Sequence, residues 1–577
     1  MDWRERFRAG DILAASRAEG DPRRGVVATD HAGTMEAFAW DVDTAELRRV
    51  SSSAAPVSDA AINSDGRWVV YHHALTDDGR GHLYRAPFEG GSAVDLTPDL
   101  DEYVAYLITA RAGVVAALAV TAGSQNLLVV ADGRAQLWPQ GSPVLSLQFT
   151  EDGDRVVVGE AMDGIYGRTV VRSVADGSEV GRLDYSIPGA SRGGLVAVAI
   201  HDAGWRRPAI WDPGSPPRRI EVGVPGDVTP TDWSPDGSQL VLLQAYRAQG
   251  SLLLHNMKDS TLTRLASPPG TADLWTRAEL RNGKVTALWG DPTSPWSVIE
   301  ADGENQQLLL RASTIHHFPG PDWRSVTFPS VGGGEVQGWL VTPDGPGPWP
   351  TIVFAHGGPT TVAVPNLNPI CGAWVDEGFA LLSVNYRGST TFGDEYREAL
   401  TGHVGEVDLD DMVAATRWLI DSGIAHPELI IANGWSYGGY LSLLVVGVHP
   451  ELFAGAIAGV PIVDWTLSDE GHDAGVRAWA DTLFGTDGDA DERRRRASPT
   501  TYADRIAAPV LISAAEADSA AALAPIQAFV DELALAGKRA RLEVRSGSHA
   551  GAGKEADIAM MESWLEFARS IVTARLG

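Results

Sequence analysis

Gly434-Trp435-Ser436-Tyr437-Gly438 puts a serine between two glycines, at the end of one apolar run (Leu429-Ile430-Ile431-Ala432) and the start of another (Tyr440 to Val446). A serine hydroxyl is a weak nucleophile at its free pKa, so it needs a base to take its proton and an acid to orient that base. A strand, a sharp turn and a helix would lift its oxygen clear of the sheet. Flanking glycines tolerate such a turn and leave room for an acyl group. A further glycine, Gly439, lets the helix pack closely. The chemistry permitted is attack on an acyl carbon with transient acylation of Ser436.

Order along the chain narrows the partners, because acid and then histidine follow the serine in sheets that carry this turn. His549 is the one histidine after Asp518, and it lies in the small-residue loop Ser546 to Gly551 beyond the strand-like run Arg541-Leu542-Glu543-Val544-Arg545. Asp518 follows the apolar run Pro509 to Ser513 by a short loop, with Glu516 as its local competitor. A tetrahedral intermediate also needs N–H donors for its oxyanion. The run 351–355 ends in His356-Gly357-Gly358-Pro359, a glycine turn whose backbone N–H can face the serine beside that of Tyr437.

These groups need a scaffold, and residues 321–577 read as one. Apolar runs at 336–342, 351–355, 379–384, 428–432, 453–459, 509–513 and 541–545 alternate with helical patterns at 368–377, 408–422, 437–448, 524–537 and 555–574. Such alternation predicts a mostly parallel α/β sheet with reactive loops at the carboxyl ends of its strands. With the serine turn and the residue order, the expectation is an α/β-hydrolase domain.

Residues 24–313 differ in kind. Short runs such as Trp68-Val69-Val70-Tyr71 and Leu240-Val241-Leu242-Leu243 are separated by Gly, Asp and Pro turns, with no helical period. Asp-Gly turns precede strands at Asp65, Asp152 and Asp236, which are 87 and 84 residues apart. That is twice a period of about 43, and a four-stranded blade takes about 40–45 residues. Turn clusters divide the interval into units near 24–54, 55–98, 103–138, 142–185, 188–224, 227–267 and 272–313. The prediction is an N-terminal seven-bladed β-propeller, preferred over a β-sandwich. Residues 1–23, with Trp3 and Phe7 four apart and Ile12-Leu13 beyond, read as a helical segment packing on the hydrolase domain.

Composition bounds the partners. The formal charge of −29 over 577 residues is shared by both parts. It repels phosphate backbones and anionic lipid, which argues against nucleic-acid and membrane-surface roles. No run of 18 apolar residues is free of charge, so no membrane span is expected. The N-terminus, MDWRERFRAGD, lacks the apolar core of a secretory signal, and the expectation is a cytoplasmic protein. Cys371 is the single cysteine, which leaves no disulfide or cysteine metal cluster; among Ile370, Ala373 and Trp374 it reads as a buried thiol. The adjacent pairs His72-His73 and His316-His317 read as loop or surface residues, and no metal is expected. Arg493 to Arg496, following Asp487, Asp489, Asp491 and Glu492, read as a salt-paired helix face. Glu406, Asp408, Asp410 and Asp411 read as acids at the positive end of a helix.

Taken together, the chain resembles the prolyl oligopeptidase family of serine peptidases. The resemblance rests on the propeller followed by His356-Gly357-Gly358-Pro359, Asn385-Tyr386-Arg387-Gly388-Ser389, Gly434 to Tyr440, and Ser498-Pro499 ahead of Pro509-Val510-Leu511-Ile512. The 82 residues from Ser436 to Asp518 and 31 more to His549 are similar to that family's spacing. Ala474 to Trp479, Arg495 to Pro499 and Ala503-Asp504-Arg505-Ile506 are most similar to acylaminoacyl peptidases. The resemblance implies a Ser436, Asp518, His549 triad with oxyanion donors from Gly358 and Tyr437. It implies that Arg477 helps hold the substrate, and Trp465 is a second substrate-binding candidate. It also implies no cofactor, and a propeller that covers the site and admits short peptides or acylated amino acids. A homo-oligomer is compatible with all of this. Two departures stand out: Ala514-Ala515-Glu516-Ala517-Asp518-Ser519-Ala520 lacks the family's frequent glycine before the acid and Arg-Val-Pro after it, and Ala550-Gly551 replaces a frequent Gly-Phe. Both predict a more open or mobile wall around the triad.

Other chemistries share the acyl-enzyme, so the same triad would serve an esterase, an amidase of a biosynthetic pathway or an acyltransferase that excludes water. A propeller interaction protein with a decayed hydrolase is the non-catalytic alternative. It predicts that a fluorophosphonate leaves Ser436 unlabelled.

Overall fold

The computed structural model describes the chain apart from residues 1, 32, 52–55, 58, 77–78, 122–123, 163–165, 314–316, 468–473, 550, 552 and 577. The chain forms two compact units, Met1–Arg8 with Phe318–Gly577, and Ala9–His317.

The second unit is a seven-bladed β-propeller, with antiparallel sheets following one another along the chain over residues 12–49, 60–95, 104–139, 144–184, 186–219, 227–264 and 271–311. Six sheets have four strands. The seventh has five, because two short strands, Thr271–Ala272 and Glu279–Arg281, both pair with Lys284–Asp291. Each blade packs on a neighbour through both faces, which is why runs such as Val156-Val157-Val158 are buried without alternation. An apolar cluster fills each gap between neighbours. The one that joins the last blade to the first contains Ile12, Val27 and Trp40 with Leu288, Val298 and Leu310. Side chains reinforce that closure, where Arg17 reaches Glu300 at 2.8 Å and Glu279 accepts the Ser16 hydroxyl and the Arg17 N–H.

Two readings of the propeller end need correction. The helix expected over residues 1–23 is confined to Arg4–Arg8 (α1), and the first blade begins at Ile12 rather than residue 24. Ile12–Arg17 pairs with Arg24–Thr29, supplying the fourth strand without which that blade would have three. Gly10 sits where a Cβ would lie 2.6 Å from the Ala312 carbonyl oxygen, so the chain passes edge-on there and Ile12 drops into the closing cluster. His72 is not a surface residue. It is 5% exposed on the strand Trp68–Ala74, with its Nε2 at 2.8 Å from the Tyr103 carbonyl. His316 lies outside the described residues.

The other unit is one eight-stranded sheet of Arg324–Pro329 (β1), Glu335–Val341 (β2), Trp349–Ala355 (β3), Ala380–Asn385 (β4), Ala425–Trp435 (β5), Gly455–Gly459 (β6), Val510–Ala515 (β7) and Ala540–Arg545 (β8). Its order is β1-β2-β4-β3-β5-β6-β7-β8, antiparallel at β1–β2 and β2–β4 and parallel elsewhere. β1, absent from the expected strands, is a mostly exposed edge whose apolar residues are only Val326 and Phe328 apart from its terminal proline.

Helices cover both faces: Pro369–Asp376 (α2), Asp394–Glu398 (α3), Val407–Asp421 (α4), Tyr437–Val448 (α5), Ala474–Phe484 (α6), Ala490–Ala497 (α7), Leu523–Leu535 (α8) and Lys554–Leu576 (α9). One core cluster carries α4, α5 and α8, with Met412, Leu444 and Phe529. The other carries α1, α2 and α9, with Trp3, Phe7, Trp374 and Trp564. Arg6 on α1 grips Asp376 at 2.7 and 2.8 Å. Cys371 is buried in the second cluster, and burial pushes its thiol well above the ordinary range. Arg493, Arg494 and Arg495 pair with Asp487, Asp481 and Glu492, so α7 is the salt-paired face expected.

Candidate active site

β5 delivers Ser436 to the junction with α5, and the turn is strained as the motif requires. Ser436 has φ 57° and ψ −118°, a conformation that a residue with a Cβ adopts only when its surroundings enforce it. The enforcement comes from bonds on both sides, Ser436 N–H to Gly459 O and Tyr440 N–H to Ser436 O, at 2.8 and 2.9 Å. The flanking glycines are needed for close approach: a Cβ on Gly434 would lie 2.4 Å from the Gly438 carbonyl, and one on Gly438 2.0 Å from the Ala355 carbonyl oxygen.

The structure brings the three expected side chains together. His549 Nε2 lies 2.8 Å from Ser436 Oγ, and its Nδ1 lies 2.7 Å from Asp518 Oδ2. An ionised carboxylate only accepts, which assigns the proton to Nδ1 and leaves Nε2 to accept from the serine hydroxyl. The other oxygen of Asp518 accepts the N–H groups of Ala520 and Ala521 at 2.9 and 2.8 Å, which fixes the carboxyl rotamer. The alanine-rich replacement around Asp518 therefore still holds the acid through its main chain. Glu516 is exposed and makes no contact with the imidazole; its N–H continues the ladder to Arg545 O. Ala550, the first replaced residue after His549, lies outside the described residues.

The His356 to Pro359 turn sits against the elbow, where a Cβ on Gly357 would lie 3.6 Å from Ser436 Cβ. Gly358 has φ 115°, open to glycine and strained for other residues. Beneath this turn lies a polar network that sequence reasoning missed. His356 stacks on Tyr386 at 4.4 Å, Tyr386 donates to the His356 carbonyl at 2.8 Å, and His356 Nε2 meets Ser389 Oγ at 2.9 Å. Burial pulls the His356 imidazole down to about 4, so it is neutral at pH 7. Arg387 pins the same loop to α4 through a 2.8 Å ion pair with the fully buried Asp411. Asp408, read from sequence as a helix-end acid, is buried under the elbow and accepts the Tyr437 hydroxyl at 2.7 Å. Burial lifts its carboxyl to about 6, against the opposing Tyr437 hydrogen bond. Acids preceding a helix carry no local sign of such a partner, which is why the pairing was not legible.

The two substrate candidates fare differently. Arg477 lies partly exposed on α6. Trp465 is a correction: it is 3% exposed, packed with Tyr437, Tyr440, Trp479 and Phe484 at ring separations of 5.3–6.2 Å. The aromatic neighbours on α5 and α6 that enclose it are distant in sequence, so the indole is part of the packing behind the elbow.

Residues 369–574 match the profile described as the prolyl oligopeptidase family. This domain belongs to the prolyl oligopeptidase family. The acylamino-acid-releasing enzyme of Rattus norvegicus is 25% identical over 317 residues, which are 50% of this chain and 42% of that protein. Acylamino-acid-releasing enzyme 1 of Oryza sativa subsp. japonica is 36% identical over 118 residues, 20% of this chain and 15% of that one. The chain thus aligns with less than half the length of these relatives. Both units align with solved folds: a puromycin-hydrolyzing peptidase of Mycobacterium tuberculosis (TM-score 0.83, 19% identity, 98% of this chain and 95% of that one) and a Pyrococcus horikoshii acylaminoacyl peptidase (0.76, 17%, 98% and 96%).

Proposed function

We propose that this prolyl oligopeptidase family protein hydrolyses short peptides, of the oligopeptidase or acylaminoacyl-peptidase type, through an acyl-enzyme on Ser436. The observation that carries the reading is the unbroken hydrogen-bond chain Asp518–His549–Ser436 at a strained elbow. Ser436 Oγ attacks the acyl carbon and its proton passes to His549 Nε2. Asp518 holds the imidazole and stabilises the imidazolium. The N–H groups of Gly358 and Tyr437 receive the oxyanion, which needs donors already aimed at it. The imidazolium then protonates the leaving amine, the C–N bond breaks, and water deprotonated by His549 releases the acid and restores Ser436. Within the same reading the propeller restricts substrates to short chains, Arg477 contacts the bound peptide, and the protein acts in the cytoplasm. No helix among the described residues is long and apolar enough to cross a membrane.

A mass-spectrometric cleavage profile on peptides with free and N-acylated termini, with puromycin and p-nitrophenyl esters in parallel, tests this reading. Cleavage of short peptides lost in Ser436→Ala supports it. Esters turned over with every amide left intact would place the chain among esterases, and a Ser436 that no fluorophosphonate labels would place it among non-catalytic propellers. Intact casein degraded as fast as its tryptic fragments would remove the size restriction.

A further inference from the structure

Among the described residues, the backbone of the loop that carries His549 is tied at Gly547, whose carbonyl accepts the Ala517 N–H at 3.1 Å, and between Ser548 and Gly551. The His549 side chain is about one-third exposed, and the bridge between Ser548 and Gly551 consists of two 3.3 Å hydrogen bonds. Two side chains outside the triad reach into it. Trp435, the residue before the nucleophile, donates its indole N–H to the His549 carbonyl at 3.3 Å, across 114 residues of sequence. Arg545, the last residue of β8, donates Nη2 to the Ser548 carbonyl at 3.2 Å and lays its guanidinium over the Trp435 ring at 4.9 Å. The indole has little freedom to move away. Its ring lies against Gly459, where a Cβ would approach within 2.2 Å, and Trp564 stands 6.3 Å beyond. Burial lowers the pKa of the Arg545 guanidinium from its ordinary value, with the Asp557 carboxylate 4.0 Å away as partial compensation.

We propose that Trp435 and Arg545 form a clasp that positions His549 over Ser436. The proposal rests on the triad reading above. The hydrogen bond from Ser436 to the imidazole is consumed when the serine attacks, whereas the indole-to-carbonyl tie involves no reacting atom. It therefore persists while the proton moves to the imidazole and on to the leaving group. Because Trp435 is covalently adjacent to Ser436, the clasp makes nucleophile and base move as one body. A misplacement of about 1 Å at a reacting group can cost about 100-fold in rate. The guanidinium stack serves the tie by holding the indole in the plane that reaches the carbonyl. It also explains why a histidine loop without the frequent Gly-Phe keeps its imidazole in register.

Three variants test the clasp in the full-length protein, with an aminoacyl-p-nitroanilide and a fluorophosphonate probe. Trp435→Phe removes the N–H and keeps a ring over Gly459. Arg545→Met removes the guanidinium, and Arg545→Lys restores a cation. Trp435→Phe and Arg545→Met are expected to lower kcat by about 10- to 100-fold, leave KM within about twofold, and slow labelling of Ser436 in proportion. Their unfolding midpoints should stay close to that of the parent, and Arg545→Lys should recover part of kcat. In a His549→Ala background the same substitutions should leave the residual rate unchanged, a result that a merely structural role would not produce. Parent kcat in both single variants, a change in KM alone, or an equal loss in the His549→Ala background would each overturn the clasp. Full activity in His549→Ala itself would instead overturn the triad reading.

Discussion

The two units use internal acidic side chains for different ends. In the propeller they link neighbouring blades. Asp59 accepts the N–H groups of Ala60 in its own blade and Ile108 in the next, and Asp232 accepts those of Trp233 and Leu280 while pairing with Arg281. Glu279 and Glu300 reach from the last blade to Ser16 and Arg17 in the first. In the α/β unit the acids tie loops at the candidate site: Asp518 to His549, Asp408 to Tyr437, and Asp411 to Arg387. The difference follows from connectivity. Each blade is its own hydrogen-bonded ladder and packs on the next mainly through side chains, so polar staples add direction to an otherwise slippery apolar contact. The eight-stranded sheet is already continuous, and its enclosed charges are left to hold loops.

The largest test of this contrast is Ser436→Ala, expected to lower turnover of an aminoacyl-p-nitroanilide by about 10⁴-fold or more with an unchanged unfolding midpoint. A site residue then affects chemistry and not the fold. Arg17→Met should do the reverse. It strips Glu300 of its buried partner, leaving Lys284 at 3.0 Å and Gln307 at 2.7 Å. The expected loss is about 3 kcal/mol, the low end for breaking a buried pair, read in denaturant unfolding, with fluorophosphonate labelling of the folded protein retained at 20 °C.

Asp408→Asn sharpens the comparison through pH. The native carboxyl titrates at about 6 against 3.8 unexposed to the fold, so the native state holds that proton more tightly than the unfolded chain. Its stabilising effect is complete below pH 3.8 and is lost as pH rises through about 6, leaving a buried charge above that. Asparagine cannot ionise and keeps an oxygen for the Tyr437 hydroxyl. Between pH 4 and pH 8 the stability of the variant relative to the parent should rise by up to about 3 kcal/mol. An unchanged difference across that range would show that Asp408 carries no such penalty. The smallest effect is expected at Glu492→Gln, which breaks exposed pairs to Arg495 on α7. Its unfolding midpoint should match the parent's within error.

Local signals were legible and distant ones were not. Asp65, Asp152 and Asp236 announce the blade period because each marks a tight turn before a strand, whatever surrounds it. The elbow is legible for the same reason, since glycines on both sides of Ser436 answer to backbone geometry within five residues. The start of the first blade was hidden because Ile12 to Arg17 is short and its role is to fill a gap beside Leu288 and Leu310, far along the chain. Trp465 looked available for substrate because nothing local says that Tyr440 and Phe484 enclose it. Asp408 and Arg545 sit in stretches that read as an ordinary helix start and an ordinary strand end.

By itself the sequence determined the repeat of blades, the alternation of strand and helix, and the order serine, acid, histidine, because period, turn chemistry and chain order are properties of neighbours along a chain. The tertiary structure alone decided which residues meet across distance. It put Asp518 rather than Glu516 on the imidazole, set Asp408 under Tyr437, closed the propeller through Arg17, and laid Arg545 on the Trp435 ring beside Ser436. Those pairings depend on how sheets and loops stack in space, and their energies come from removing charge and apolar surface from water, which no linear spacing records.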